Sequence, residues 1–105
     1  MNRLFEAVSD SIDSVYERDS FKEKTLEKLE PVSKYIKKIK MSGVNKHGQW
    51  GIFVYCYNIF DKSTGKFADG YSSYIPSDAD DFMYQMIISE IETIYTDPNI
   101  KIVKD

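Results

Sequence analysis

Gln49-Trp50-Gly51-Ile52-Phe53-Val54-Tyr55-Cys56-Tyr57-Asn58-Ile59-Phe60 is the stretch on which the fold turns. Its residues are β-branched or aromatic almost without pause, which suits a pleated, packed strand and not a helix. Side chains alternate between the faces of a strand. Trp50, Ile52, Val54, Cys56 and Phe60 therefore fall in one phase, and Phe53, Tyr55, Tyr57 and Ile59 in the other. Both phases are apolar, so a central strand is expected that is either covered on both sides or offers an aromatic face to a partner. A second copy of the chain, giving a homodimer, is one way to bury that second face.

Downstream, Asp61-Lys62-Ser63-Thr64-Gly65-Lys66 has turn chemistry, and Phe67 to Ile75 returns as a shorter, more polar strand with Phe67, Tyr71 and Ile75 in phase. The pair predicts an antiparallel hairpin. Pro76 blocks the strand. Ser77 with Asp80 forms a capping-box pattern, and Asp78, Asp80 and Asp81 stand where the positive end of a helix favours carboxylates. A helix from Ala79 to Tyr95 is expected to bury Phe82, Met83, Met86, Ile87, Ile91 and Ile94, ending at Asp97-Pro98-Asn99. Ile100 and Ile102 alternate with Lys101 and Val103, which suits a short edge strand added to the hairpin.

Upstream, Leu4, Phe5, Val8, Ile12, Val15 and Tyr16 recur at mostly helical spacing and predict a helix from about Asn2 to Asp19. Ser20 and Glu23 make a second capping box. Phe21, Thr25, Leu29, Val32, Ile36 and Ile39 continue an apolar stripe to about Lys40. Pro31 removes a hydrogen bond and clashes with the carbonyl of Glu27, so a kink or break is expected near Glu30, the surviving stripe favouring a kink. Ser42-Gly43 ends the helix, and Val44 to Gly48 reads as a loop. These elements predict a single α+β domain over residues 1–105, in the order α-α-β-β-α-β, with a small antiparallel sheet packed by helices. The expected core is Phe5, Val8, Ile12, Leu29, Ile36, Ile39, Ile52, Val54, Cys56, Met83, Ile87 and Ile91.

The 105 residues are 42% hydrophobic, 14% aromatic and 30% charged, enough apolar material for one folded core and too much for a disordered chain. The longest apolar run, Trp50 to Tyr57, falls far short of the roughly 20 residues that span a bilayer. The N-terminal residues are polar with an acid at Glu6, unlike a secretory signal, so a cytoplasmic protein is expected. A single cysteine, Cys56, forms no internal disulfide, and a single histidine, His47, completes no zinc site of the usual Cys and His kind.

Catalytic chemistry finds little to work with. His47 sits in the polar loop Asn45-Lys46-His47-Gly48, and Cys56 lies in the most apolar strand, where desolvation keeps a thiol protonated and inert. Asp61, Asp69, Asp78, Asp80, Asp81 and Glu90 have the oxygen ligands that magnesium prefers. Counted from Asp78, however, Met83 and Ser89 stand where a calcium loop needs glycine and glutamate. Ser63-Thr64-Gly65-Lys66 lacks the upstream glycine of a phosphate-binding loop. No enzyme activity, cofactor or metal is expected; an enzymatic alternative rests on Asp69 or His47.

Charge is the more informative quantity. The formal net charge is −3, yet residues 31–60 contain no Asp or Glu and hold Lys34, Lys37, Lys38, Lys40 and Lys46. Residues 67–100 contain no Lys or Arg and hold seven carboxylates. The acidic stretch, interleaved with tyrosines, can present to a basic groove the charge of a phosphate backbone. It predicts a non-enzymatic inhibitor of a basic, nucleic-acid-processing protein, with Asp69, Tyr71, Tyr74, Asp78, Asp80, Asp81, Tyr84, Glu90 and Glu92 as contacts. Such a protein would be of an anti-defence type, as in anti-CRISPR or anti-restriction proteins of phage, or an immunity protein or antitoxin against a nuclease. The competing expectation is a small nucleic-acid-binding module using the lysines of residues 34–46 with Trp50, Phe53, Tyr55 and Tyr57 as stacking rings. Overall acidity, with an isoelectric point near 5.1, argues against direct nucleic-acid binding unless the basic patch is well separated in space from the carboxylates. A third, plain alternative is that the two charged stretches simply pair with each other.

Overall fold

The structure, a computed structural model, describes residues 18–104. The expected helix from Asn2 to Asp19, with Phe5, Val8 and Ile12, lies almost wholly outside these residues. The first described element is helix α1, over residues 18–28. A 3₁₀ helix, Glu30–Tyr35, follows, then β1 (Ile36–Met41), β2 (Gly51–Cys56), β3 (Asn58–Asp61), β4 (Lys66–Ala68), β5 (Ser72–Pro76), α2 (Asp81–Tyr95) and β6 (Ile100–Val103). The strands form two three-stranded antiparallel sheets, ordered β1-β2-β5 and β4-β3-β6. The protein is an α+β fold, with helices packed on small antiparallel sheets.

The expected helix to Lys40 is corrected at its second half. The helix stops before Pro31, which falls in the first turn of the 3₁₀ helix, a place where its missing N–H costs nothing. Ile36–Met41 is then a strand. Its register explains why it looks helical: Ile36 pairs with Cys56 and Ile39 with Val54, with an irregularity between Ile36 and Lys38. One extra residue on β1 brings two isoleucines three apart onto the same face, so a bulged strand mimics the helical step.

The long hairpin holds, but it is broken in the middle. Its outer half is β3–β4, where Gly65 takes the positive φ of 70° that closes the turn and its N–H donates to the Asp61 carbonyl at 2.8 Å. Its inner half is β2–β5. At Tyr57 the ladder stops: its N–H donates to the Tyr35 carbonyl at 3.1 Å, and its carbonyl accepts the Tyr95 hydroxyl. That hydroxyl also accepts the Tyr71 N–H at 3.2 Å, so one side chain of α2 satisfies both strands where they part. The tail strand β6 pairs along β3, as the alternation at its end predicts.

The core gathers Leu29, Val32, Ile52, Val54, Cys56, Ile75, Tyr84, Ile87, Ile88, Ile91 and Tyr95. Ile36, Ile39 and Met83, expected in the core, are half-buried and packed against it. The buried stripe of α2 is Tyr84, Ile87, Ile88, Ile91 and Tyr95. It is turned from the expected stripe, leaving Phe82 72% and Met86 48% exposed. Tyrosine causes the difference: an amphipathic ring goes inside when its hydroxyl finds a partner, and that of Tyr84 meets the Thr25 hydroxyl at 3.0 Å. The helix cap is also corrected. Asp80, not Ser77, is the N-cap, and its carboxylate accepts the Met83 N–H at 2.9 Å.

Candidate functional site

In β1, β2 and β5 one phase of side chains faces the core through Ile39, Ile52, Val54 and Ile75. The other phase is left open. On it Lys38 lies opposite Tyr55, Lys40 opposite Phe53, and Phe53 opposite Tyr74. Cross-strand partners project to the same side, so register alone brings these residues together. Phe53 and Tyr74, 37% and 40% exposed, have ring centroids 5.0 Å apart, and Phe53 stacks on Tyr55 at 6.3 Å with the planes 25° apart. The Lys38 ammonium stands 5.2 Å from the Tyr55 centroid, a cation over a ring face.

Gly51 is part of this arrangement. A Cβ there would meet the Tyr74 ring at 2.9 Å and overlap the Ile75 carbonyl, so only glycine lets the ring lie against the sheet. Beside the rings, Met41, Ser42, Gly43, Asn45 and Gln49 complete an open groove of about 520 Å³. The loop is shaped by Asn45, whose side-chain oxygen accepts the N–H groups of His47 at 2.8 Å and Gln49 at 3.0 Å. Ser42 exchanges hydrogen bonds with Gly51, and Arg18 of α1 donates to the Ser42 carbonyl at 2.7 Å.

The sequence-proposed acidic contacts are dispersed. Asp80 caps α2. Asp81 pairs with Lys28 of α1 at 2.9 Å, the one ion pair among the described residues, and this ammonium holds the Asp81 carboxyl below its ordinary range. Glu90 accepts the Tyr71 hydroxyl, whose pKa is pushed up to about 12 by burial first and then by that carboxylate. Asp69, Asp78 and Glu92 are exposed, and their side chains make no hydrogen bond or ion pair among the described residues. Tyr84 is corrected as a surface contact, being fully buried against Thr25. Tyr74 belongs with Phe53 on the open sheet face. The partner of Asp81, Lys28, lies outside the basic stretch.

Of the basic candidates, Lys38 and Lys40 reach the open face, whereas Lys34 stands over the ring of Tyr35 at 5.1 Å. Trp50 is half-buried, with its ring perpendicular to that of Phe21 at 5.3 Å, and so braces α1. Cys56 is buried, and desolvation pushes its thiol up to about 11. Among the described residues no three His, Cys, Asp or Glu side chains gather as metal ligands, and no helix is long and apolar enough to cross a membrane. What sequence reasoning missed is Tyr74 and Gly51 as members of the face; the phase shared by Gly51, Phe53 and Tyr55 was the available signal.

No protein-family model, curated protein or solved structure matches the chain.

Proposed function

We propose that the protein is a non-enzymatic binding protein that holds single-stranded nucleic acid against the open face of the β1-β2-β5 sheet. The observation that supports this reading is the register that sets Lys38 and Lys40 directly beside Phe53, Tyr55 and Tyr74, with no carboxylate among the paired strand residues of that face. Lysines neutralise phosphates, and aromatic rings at this spacing take unpaired bases on their π faces. Duplex is disfavoured, because its bases are already stacked. The objection from overall acidity weakens once α2, with Glu90 and Glu92, packs on the opposite, core side of the sheet.

The test is fluorescence anisotropy with a labelled oligothymidylate at low and rising salt. Binding should weaken with salt, and Lys38→Gln with Lys40→Gln should reduce the slope of log K against log salt by about 1.4, since each phosphate contact on a single strand contributes about 0.7. Phe53→Ala should cost about 1–3 kcal/mol, the range for loss of one stacked base. Absence of binding at low salt overturns the proposal, as does binding indifferent to all three substitutions.

A second reading has its own support. Phe82 and Met86 are exposed on the solvent side of α2, which also bears exposed Glu92, with Asp78 at its start. An apolar pair among carboxylates suits an inhibitor that docks on a basic, nucleic-acid-processing protein. Capture of such a partner, abolished by Phe82→Ser with Met86→Ser and untouched by Lys38→Gln, would favour it over the first.

A further inference from the structure

Resting on the reading of the first sheet as a single-strand site, we infer that the β4-β3-β6 sheet continues that site, so that the ligand runs across both sheets. Ile52, Val54 and Cys56 face the core in β2, and Ile59 packs against it in β3. An even phase thus becomes an odd one at Tyr57 and Asn58. The shift brings Phe60, with its cross-strand partners Phe67 and Lys101, to the side away from the core, the side that Phe53 and Tyr55 share in the first sheet. Without it the second sheet would turn these rings inward.

The resulting surface repeats the chemistry of the first. The Phe60 and Phe67 centroids are 4.8 Å apart, and Phe67 is 73% exposed, a full aromatic face given to water on a three-residue edge strand. The groove beside them, about 600 Å³, is walled by Lys62, Lys101 and Lys104 and has no carboxylate in its lining. Asp69 lines the adjoining groove, on the other side of Phe67 and Val103. The Lys104 ammonium lies 5.3 Å from the ring of Tyr57, the residue that joins the sheets. Three lysines around two rings complement a polyanion, and in an isologous dimer the same three lysines would face their own like charge. From Phe53 to Phe60 the path is about 23 Å, at about 3.3 Å per residue. Even at twice the roughly 3.4 Å per nucleotide of a duplex strand, the two steps of a trimer do not reach its far end.

The experiment compares a trimer and a dodecamer of deoxythymidylate on the full chain. Phe67→Ala should weaken the dodecamer about tenfold and leave the trimer unchanged, whereas Phe53→Ala should weaken both. Lys101→Gln with Lys104→Gln, both solvent-exposed, should flatten the salt slope for the dodecamer alone. If Phe67→Ala and the lysine pair leave the dodecamer unchanged while Phe53→Ala weakens it, the first site stands and its extension is overturned. If Phe67→Ala instead converts a dimer in sedimentation to a monomer, the occupant is a second copy and the inference also falls. If neither oligomer binds the unaltered protein, the first reading has failed with it.

Discussion

Tyr84 carries a lesson at the scale of the single residue. Its ring fills the core because one hydroxyl on α1, that of Thr25, answers its own. Tyr84→Phe should leave Thr25 buried without a partner and cost about 1–3 kcal/mol in urea denaturation. Val at position 25 together with Phe at position 84 should recover most of that loss, since replacing both partners removes the unsatisfied group. Cys56 is governed by the same burial. Because the folded protein keeps the thiol proton to about pH 11 while an exposed thiol loses it near 9.0, the associated stability is complete below pH 9 and is lost as pH rises through 11. The Tyr71 hydroxyl, held to about 12, acts in the same direction. Denaturant midpoints measured from pH 7 to 11 should therefore be level at first and fall only on the alkaline side. At pH 8 a thiol reagent should react with Cys56 at the rate of global or local opening, not at the rate of a free thiol.

Among the elements, α2 shows how one helix ties the rest of the fold together. Asp80 caps it, Asp81 ties it to α1 through Lys28, and Tyr95 fills the gap in the hairpin ladder. Asp80→Ala should lower stability by about 1 kcal/mol in thermal or chemical unfolding, and Asp80→Asn by little, because asparagine caps equally well. Gly51→Ala tests the sheet in the same way. A methyl group there must displace the Tyr74 ring and the neighbouring carbonyl, and the strain is about 1–3 kcal/mol as in other overpacked sites. Its effect on oligonucleotide binding should exceed that of an equally destabilising substitution in the core, since the ring it moves belongs to the open face.

At the scale of the molecule, charge separates across the β1-β2-β5 sheet among the described residues. The sheet face carries Lys38 and Lys40, and the helix on the other side of the sheet carries Glu90 and Glu92. Changing Asp78, Asp80 and Asp81 together to asparagine distinguishes the two functional readings by sign. Removing carboxylates should leave oligonucleotide affinity unchanged or raised, whereas an inhibitor steered by those charges should associate with its basic target more slowly. Stopped-flow association at low salt and at about 0.5 M, where the Debye length is a few ångströms, measures either effect.

The α+β class, the hairpin, helix α2 and the tail strand were all legible in the sequence, because each depends on local composition: β-branched and aromatic runs, turn residues, a proline stop and an apolar period. What those patterns left undecided was which neighbour covers which side chain. Ile36 and Ile39 look helical until Cys56 and Val54 are seen opposite them, since a bulge changes the period without changing composition. The break at Tyr57 depends on Tyr95, a residue 38 positions away, and the burial of Tyr84 on Thr25, 59 positions away. Tyr74 joins Phe53 and Lys40 only through the register of three strands. The seven carboxylates of residues 67–100 form a charged run in sequence. Tertiary structure assigned several of them to a cap, an ion pair and a tyrosine, because a side chain's role is set by the groups within hydrogen-bonding distance, and the chain brings those from afar.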